Sequence, residues 1–278
     1  MGVLVRIVLY AESKMLADQA AEDAYAEFQR LNDMMSDYDQ DSELSKLCEN
    51  GGCQKVSPDL FAVLKEAKYY STISSGAFDI TVGPMVKLWR RSRRQKVLPK
   101  QKYIDTAKEL VGNHLWTLDE EKQSVTLLKK GMQLDLGAIA KGYAVDRAFE
   151  IIMKHGITTQ LVDAGGDFRV GTAPPEKTGW RIDVDGENVL TQNIASATSG
   201  DRFQFVEIDA VRYAHIIDPK TGLGLTHHCT AHVSATTAMQ ADALASAACV
   251  LGKEKSRELE TALNKQGQNV RIQVKESE

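Results

Sequence analysis

Apolar residues recur along this 278-residue chain with two different periods, and the changes between them outline its elements. From Val3 to Tyr10 aliphatic and β-branched residues crowd into a strand-like run. Ala17, Ala20, Ala21, Ala24, Phe28, Leu31 and Met35 then return at intervals that keep one apolar face of a long helix. An acidic loop from Met35 to Leu44 follows, in which Asp41 or Ser42 is placed to cap a short helix ending near Cys48. Pro58 opens another helix with Leu60, Leu64, Ala67 and Tyr70 on it, and Ser74-Ser75-Gly76 ends it. Ser124 to Leu128 reads as a strand. Asp135 to Asp146 then reads as the end of a strand turning directly into a helix marked by Ala144, Ala148, Ile151 and Ile152. Gln160 to Val162, Trp180 to Asp185, Asn193 to Thr198, Phe203 to Ile208, Arg212 to Ile217 and Thr230 to Ala235 read as successive strands. Gln240 to Leu251 is an alanine-rich buried helix and Ser256 to Leu263 a further one, and Val270, Ile272 and Val274 close the chain as an edge-like strand. There is no fixed-period repeat, and strands and helices do not alternate strictly, so the pattern predicts an α+β class with mixed sheets packed against helices. Residues 1–278 are expected to form a single domain, with two intertwined subdomains as the variant of that expectation.

Composition narrows the function classes. At 43% hydrophobic and 26% charged the chain is ordinary for a globular protein, and its net charge of −4 and pI near 5.9 argue against generic affinity for nucleic acid. No apolar run approaches the roughly 18–20 residues that span a bilayer, and no charged-then-apolar export signal precedes the first strand. The four cysteines, Cys48, Cys53, Cys229 and Cys249, are too few for a disulfide scaffold; Cys48 and Cys53 are spaced for a local disulfide or stand as free thiols. One segment departs from the acidic background. Lys87 to Lys102 holds eight lysines and arginines and no acid, which is either a solvated surface or a docking stripe for an anionic partner or membrane surface.

Several stretches carry candidate chemistry. Gly137 and Gly142 bracket the turn into the helix, where a close backbone approach, free helix N–H groups and Lys141 suit a phosphate; small residues that let a helix pack tightly are the alternative. Ala77-Phe78-Asp79, between Gly76 and Gly83-Pro84, is either a ligand-facing loop or a buried phenylalanine beside a helix-capping aspartate, and the residues alone favour the latter. Asp163-Ala164-Gly165-Gly166-Asp167 is a second glycine turn flanked by carboxylates. Asp242 and Ser246 lie four apart on one helix face among small apolar neighbours, where a buried carboxylate suits an oxygen-ligand cation such as Mg²⁺ or acts as a helix cap. His215 precedes an Asp218-Pro219-Lys220-Thr221-Gly222 turn and is either a general base or a structural strand histidine. His228 and His232 share a face of their strand, but the His227-His228-Cys229 spacing fits no established zinc pattern. Walker, Rossmann and nucleophile-elbow signatures are absent.

Taken in order, these segments resemble the ApbE family of FAD:protein FMN transferases. The resemblance is carried by Met1-Gly2-Val3, Tyr38 with Asp41 to Ser45, Gly76 to Pro84, Asp135 to Asp146, Ala164 to Asp167, Thr198-Ser199-Gly200-Asp201, His215 to Gly222 and Ala241 to Ser246. The chain departs from the pattern at Asp163 and Ser246, which keep an oxygen acceptor or ligand, and in its basic tract after Trp89. The resemblance implies an Mg²⁺-dependent enzyme that takes FAD as substrate, moves its FMN half onto a Ser/Thr hydroxyl of another protein and releases AMP. It further implies that the Ala138 carbonyl, Asp242 and Ser246 hold the metal. Met1, Tyr38, Ala77, Phe78, Asp79, Asp135, Lys141 and Ile217 would meet the flavin nucleotide, and His215 would be the base. The implied partner is an acceptor flavoprotein subunit with an Asp-x-x-Ser/Thr-Gly-Ala-Ser/Thr pattern, which this chain does not itself contain, and the implied location is periplasmic or anchored at the inner membrane. FAD hydrolysis to FMN and AMP, or flavin binding without turnover, are the alternative activities.

Overall fold

The computed structural model of the protein describes residues 2–277 apart from 185 and 203. In chain order the elements are β1 (Val5–Leu9), α1 (Lys14–Met35), α2 (Glu43–Asn50), β2 (Gly52–Lys55), α3 (Pro58–Ile73), α4 (Gly83–Gln95), α5 (Gln101–Lys108), β3 (Trp116–Asp119), β4 (Ser124–Leu127), α6 (Ala140–Lys154), β5 (Gln160–Ala164), β6 (Asp167–Val170), β7 (Trp180–Val184), β8 (Glu187–Thr191), β9 (Ile194–Gly200), β10 (Phe205–Ile208), β11 (Val211–Ala214), β12 (His228–Ala235), α7 (Ala238–Lys265) and β13 (Arg271–Ser277). The α+β class follows. Strands β1-β5-β6-β9-β12-β13 form a six-stranded antiparallel sheet, β2-β4-β3 a smaller one, and β7–β8 and β10–β11 are hairpins.

Helices begin where the sequence offers caps. Ser13, Ser42, Ser57 and Thr237 each accept a backbone N–H three residues on, opening α1, α2, α3 and α7. In α1 the stripe Ala20, Ala24, Phe28, Leu31 and Met35 is buried, and this face packs on α6. Helices α6 and α7 cover one face of the large sheet. They approach so closely that a Cβ on Gly142 would lie 2.2 Å from the Ala238 carbonyl oxygen. Asp146 of α6 fixes this contact by accepting the Ala238 and Met239 N–H groups at 3.0 and 2.9 Å, so one carboxylate caps the neighbouring helix. The two C-terminal helices expected from the sequence run on from one another through Gly252, whose φ of 77° breaks the helical path.

Strand alternation sorts side chains between the two faces. In β6, Phe168 and Val170 join Leu161 and Trp180 in a small apolar cluster under β7, while Asp167 and Arg169 project toward α6. Val270 and Ile272 are buried, and β13 is the sheet edge, as the terminal pattern predicts. The basic tract is helical: α4 packs Met85 and Trp89 against Val206, Ile208 and Tyr213 of the β10–β11 hairpin. All four cysteines are free thiols; Cys48 accepts the Leu134 N–H and Cys53 lies beside the Ser124 hydroxyl, so the two do not form the local disulfide. The strands expected over 180–185 and 203–208 each include one residue outside the described set. The one expected to end at Ile217 stops at Ala214, with Ile217 bridged singly to Gly224.

Candidate active site

The start of α6, the first turns of α7, the β5–β6 turn, the end of β9, the turn before α4 and the segment after β11 converge on one cleft of about 1420 Å³. Tyr38, Ala77, Phe78, Asp79, Asp135, Ala138, Lys141, His215, Ile217, Asp242 and Ser246 all line it. Met1 lies outside the described residues. At this size the cleft exceeds the usual few hundred to about 1000 Å³ of a small-ligand pocket and leaves room for a large ligand and a second reactant.

The floor is a charge cluster. Lys141 on α6 forms ion pairs with Asp167 of β6 and, at 3.1 Å, with Asp242 of α7, whose other oxygen accepts the Gly142 N–H at 3.1 Å. Burial works against the Lys141 charge, but the Asp242 and Asp167 carboxylates outweigh it and hold its pKa above the usual lysine value. Burial, then the Asp242 charge, push the Asp167 carboxyl up to about 7 against the pull of Lys141. Two buried carboxylates thus share one ammonium, and either a proton on Asp167 or a further cation balances the second charge. The nearby oxygens suit a hard cation. Ser246 sits one helical turn beyond Asp242, with its hydroxyl 3.4 Å from that of Ser199, and Ala138 faces the same cleft. Among the described residues no group of three or more His, Cys, Asp or Glu can cage a metal, so a cation here would complete its shell with water and ligand oxygens, as Mg²⁺ does.

Of the two readings of the glycine turn, the structure shows the tight helix packing, and the strand expected to run directly into α6 is absent: β4 ends at Leu127 and the chain reaches Ala140 through non-strand backbone. The Gly137 N–H goes to Asp135 Oδ1 at 2.8 Å, the Ala140 N–H to the Leu136 carbonyl, and the Gly142 N–H to Asp242. These groups are spent inside the protein, and Gly142 serves helix packing. Nor is Lys141 a free phosphate ligand here, since its ammonium is held by two carboxylates.

Above the floor, Arg90 bridges Asp37 at 2.5 Å and Asp135 at 3.3 Å, with its guanidinium 4.2 Å from the Tyr38 ring centre. Burial, with the Asp37 charge beside it, raises the Asp135 pKa against the Gly137 N–H and Arg90. Tyr38 is 77% exposed and offers its ring at the cleft mouth, whereas Phe78 is only 4% exposed and packs edge-on against Tyr70. Asp79 caps a 3₁₀ turn over Ile80–Val82 by accepting the Thr81 N–H and hydroxyl at 2.8 and 2.6 Å. The buried-phenylalanine and capping-aspartate reading therefore holds for these side chains, although both residues border the cleft.

His215 stands just past β11, half-buried. Its Nδ1 lies 3.2 Å from the Gln204 carbonyl, which can only accept, so Nδ1 carries the proton and Nε2 keeps its lone pair. Burial first, then the charges of Arg93 and Lys141, hold its pKa below the ordinary 6.5. Two other histidines have different partners: His228 pairs with Asp201 at 2.7 Å, and the His232 ring bonds the Thr198 hydroxyl at 2.8 Å. Of the charged groups here, sequence reasoning gave no role to Asp167, Arg90, Arg93 or Asp37. Period-two alternation in β6, which puts Asp167 on the face of Arg169, was the available signal for the first.

The fold and cleft define an enzyme-like site, with a free imidazole nitrogen lining the same cleft as two buried carboxylates that share one ammonium. The ApbE family profile matches residues 1–270, and the chain belongs to that family. It is 33% identical over 261 residues to the FAD:protein FMN transferase of Haemophilus influenzae, covering 87% of this chain and 75% of that one. It is also 32% identical over 284 residues to that of Treponema pallidum, covering 92% and 78%. The solved ApbE protein of Thermotoga maritima superposes with a TM-score of 0.87 at 29% identity, covering 100% of this chain and 94% of that one. The flavin transferase ApbE of Vibrio cholerae gives 0.82 at the same identity and coverage.

Proposed function

We propose that this protein moves the FMN half of FAD onto a serine or threonine hydroxyl of an acceptor protein and releases AMP, with Mg²⁺ in the site. The observation that carries this reading is that His215, Lys141, Ala138, Asp242 and Ser246, drawn from three separate stretches of chain, line one cleft. Similarity to FAD:protein FMN transferases supports it.

The transfer needs a base, a neutralised pyrophosphate and exclusion of competing geometry. The acceptor oxygen bonds to the phosphorus on the riboflavin side, the phosphoanhydride bond breaks, and the bridging oxygen leaves with AMP. The hydroxyl proton passes to His215 Nε2, the nitrogen that the Gln204 contact leaves free. Asp242, Ser246 and the Ala138 carbonyl would hold Mg²⁺, which when bound supplies positive charge to the pyrophosphate. Lys141, kept charged by Asp167 and Asp242, adds to that field from the cleft floor. The exposed Tyr38 ring, backed by Arg90, gives a flat ligand a surface at the mouth.

The test is to incubate the protein, FAD and Mg²⁺ with a peptide carrying the Asp-x-x-Ser/Thr-Gly-Ala-Ser/Thr pattern, and to read intact masses and AMP. An FMN adduct on the peptide hydroxyl with equimolar AMP is expected. AMP formed equally fast without peptide, and no adduct with it, would replace transfer by hydrolysis. The periplasmic or inner-membrane location belongs to the same proposal; fractionation of cells producing the native protein should recover it in the envelope, and recovery in the cytoplasm alone would overturn that part. Among the described residues no helix is long and apolar enough to cross a membrane.

A further inference from the structure

The basic tract has no part in the chemistry above, yet the fold gives it a definite shape. Eight of the chain's 34 lysines and arginines fall in sixteen consecutive residues without an acid, in a chain whose net charge is −4. Helical spacing divides α4 into three faces. Met85, Trp89 and Ser92 are buried, the first two against the β10–β11 hairpin. Arg90 and Arg93 line the cleft. Lys87, Arg91 and Arg94, at i, i+4 and i+7, point away from the buried face and are exposed. Lys96, Lys100 and Lys102 extend the exposed charge to the start of α5.

Among the described residues, none of these six forms an ion pair; Arg91 bonds Gln95, and Lys102 lies over the Tyr103 ring. Some exposed cations elsewhere pair with a nearby acid, as in Lys14–Asp18, Lys65–Glu120 and Lys122–Asp119, but no other stretch of the described residues gathers so many unpaired ones in so few residues. The stripe also runs into the site. Arg93 and His215 line the same cleft, and the Arg93 charge lowers the basicity of His215, so the inner end of the stripe opens into the cleft that the acceptor hydroxyl must enter.

We propose that the exposed cationic face of α4 and the start of α5 docks an acidic segment of the acceptor protein that flanks the hydroxyl receiving FMN. This rests on the transferase reading. A protein segment fits better than a bilayer for two reasons. An interfacial helix needs a wide apolar face, and that of α4 is already spent on the β10–β11 hairpin, leaving Val97 and Tyr103 as the exposed large apolar residues of the region. The stripe is also continuous with the cleft through Arg93, and a peptide can follow it inward where a membrane surface cannot. Charge of this kind steers encounter and sets register, and it acts on acceptor affinity rather than on the chemical step.

The experiment compares two synthetic peptides that share the Asp-x-x-Ser/Thr-Gly-Ala-Ser/Thr core, one flanked by glutamates and one by uncharged glutamine and serine. Wild type is set beside the triple variant Lys87→Glu, Arg91→Glu, Arg94→Glu. Peptide binding is read by fluorescence anisotropy without FAD, and FMN transfer by mass with FAD and Mg²⁺. For wild type the acidic peptide should show a KM lower by about tenfold or more at low salt, and the gap should shrink as salt is added. In the triple variant that advantage should vanish, with kcat and FAD binding unchanged. Equal binding and equal KM for the two peptides, with FMN transferred to both, would overturn the docking proposal and leave the transferase reading standing. Charge-dependent binding without FMN transfer would overturn the reading, and with it the acceptor role of this face. Vesicles of phosphatidylglycerol and phosphatidylcholine that compete the acidic peptide off and lose their binding in the triple variant would assign the face to lipid instead.

Discussion

Gly142→Ala probes how helix packing sets up the proposed metal ligands. A Cβ at this position would lie 2.2 Å from the Ala238 carbonyl oxygen, 2.5 Å from its carbon and 2.6 Å from the Met239 Cα. These are backbone atoms, so no rotamer change clears them, and α6 and α7 must part by about 1 Å to restore contacts near 3.5 Å. In an open helix the same substitution adds about 1 kcal/mol of stability. Here overpacking costs about 1–3 kcal/mol. Separation also weakens the hydrogen bond from the Gly142 N–H to the Asp242 carboxylate, of a kind worth about 1.5–3 kcal/mol. We therefore expect a net loss of about 2–4 kcal/mol, together with weaker Mg²⁺ binding because Asp242 moves with α7. Urea unfolding gives the first as a lower midpoint at unchanged slope, and titration calorimetry gives the second. A midpoint equal to or above that of wild type would refute the tight helix contact and its hold on Asp242.

Lys141→Met leaves Asp167 and Asp242 facing each other without their ammonium, which should cost about 3–5 kcal/mol in urea unfolding, with part of the loss restored by Mg²⁺. Because Lys141 acts on a pyrophosphate through its field and not as a direct ligand, the same variant should bind FAD somewhat less tightly while riboflavin is little affected; equal weakening of both would remove that field from the pyrophosphate. Phe78→Ala should lower stability by about 3–5 kcal/mol because the ring is core. Tyr38→Ala should leave stability alone and weaken flavin binding by about 1 kcal/mol, and a reversed pattern would contradict their placement. At saturating Mg²⁺, kcat/KM should rise with pH through the depressed pKa of His215 and be level above about pH 7, since the base works when deprotonated. The folded state disfavours the His215 proton relative to the unfolded chain, so the associated stability is present above the unfolded pKa and is lost as pH falls through the folded one. An acid limb above the ordinary histidine range would contradict the burial of this group.

Elements governed by local rules were legible in the sequence. The stripes and caps of α1 and α3 state their own boundaries, and Asp242 and Ser246 declare a shared face by spacing alone. The strands β2, β3, β6 and β8 were not read from the sequence; β4, β10 and β11, which are as short, were. The two readings of the glycine turn, phosphate site or tight helix packing, stayed open in the sequence for a tertiary reason: whether the Gly142 N–H is free or meets Asp242 depends on a helix 100 residues away in sequence. Lys141 likewise shows no sign of its two carboxylates, which arrive from β6 and α7. The basic tract was plain as charge, but its division into buried, cleft-facing and outward faces needed the β10–β11 hairpin to cover Trp89.

In the proposed reaction His215 takes the proton of an acceptor hydroxyl beside bound FAD. Single-turnover transfer of FMN to the acceptor peptide by His215→Ala, read by intact mass beside FAD binding by fluorescence, tests it most directly. FAD should bind as in wild type while the transfer rate falls by about two to four orders of magnitude. Transfer at the wild-type rate, or loss of FAD binding in step with the loss of rate, would contradict it.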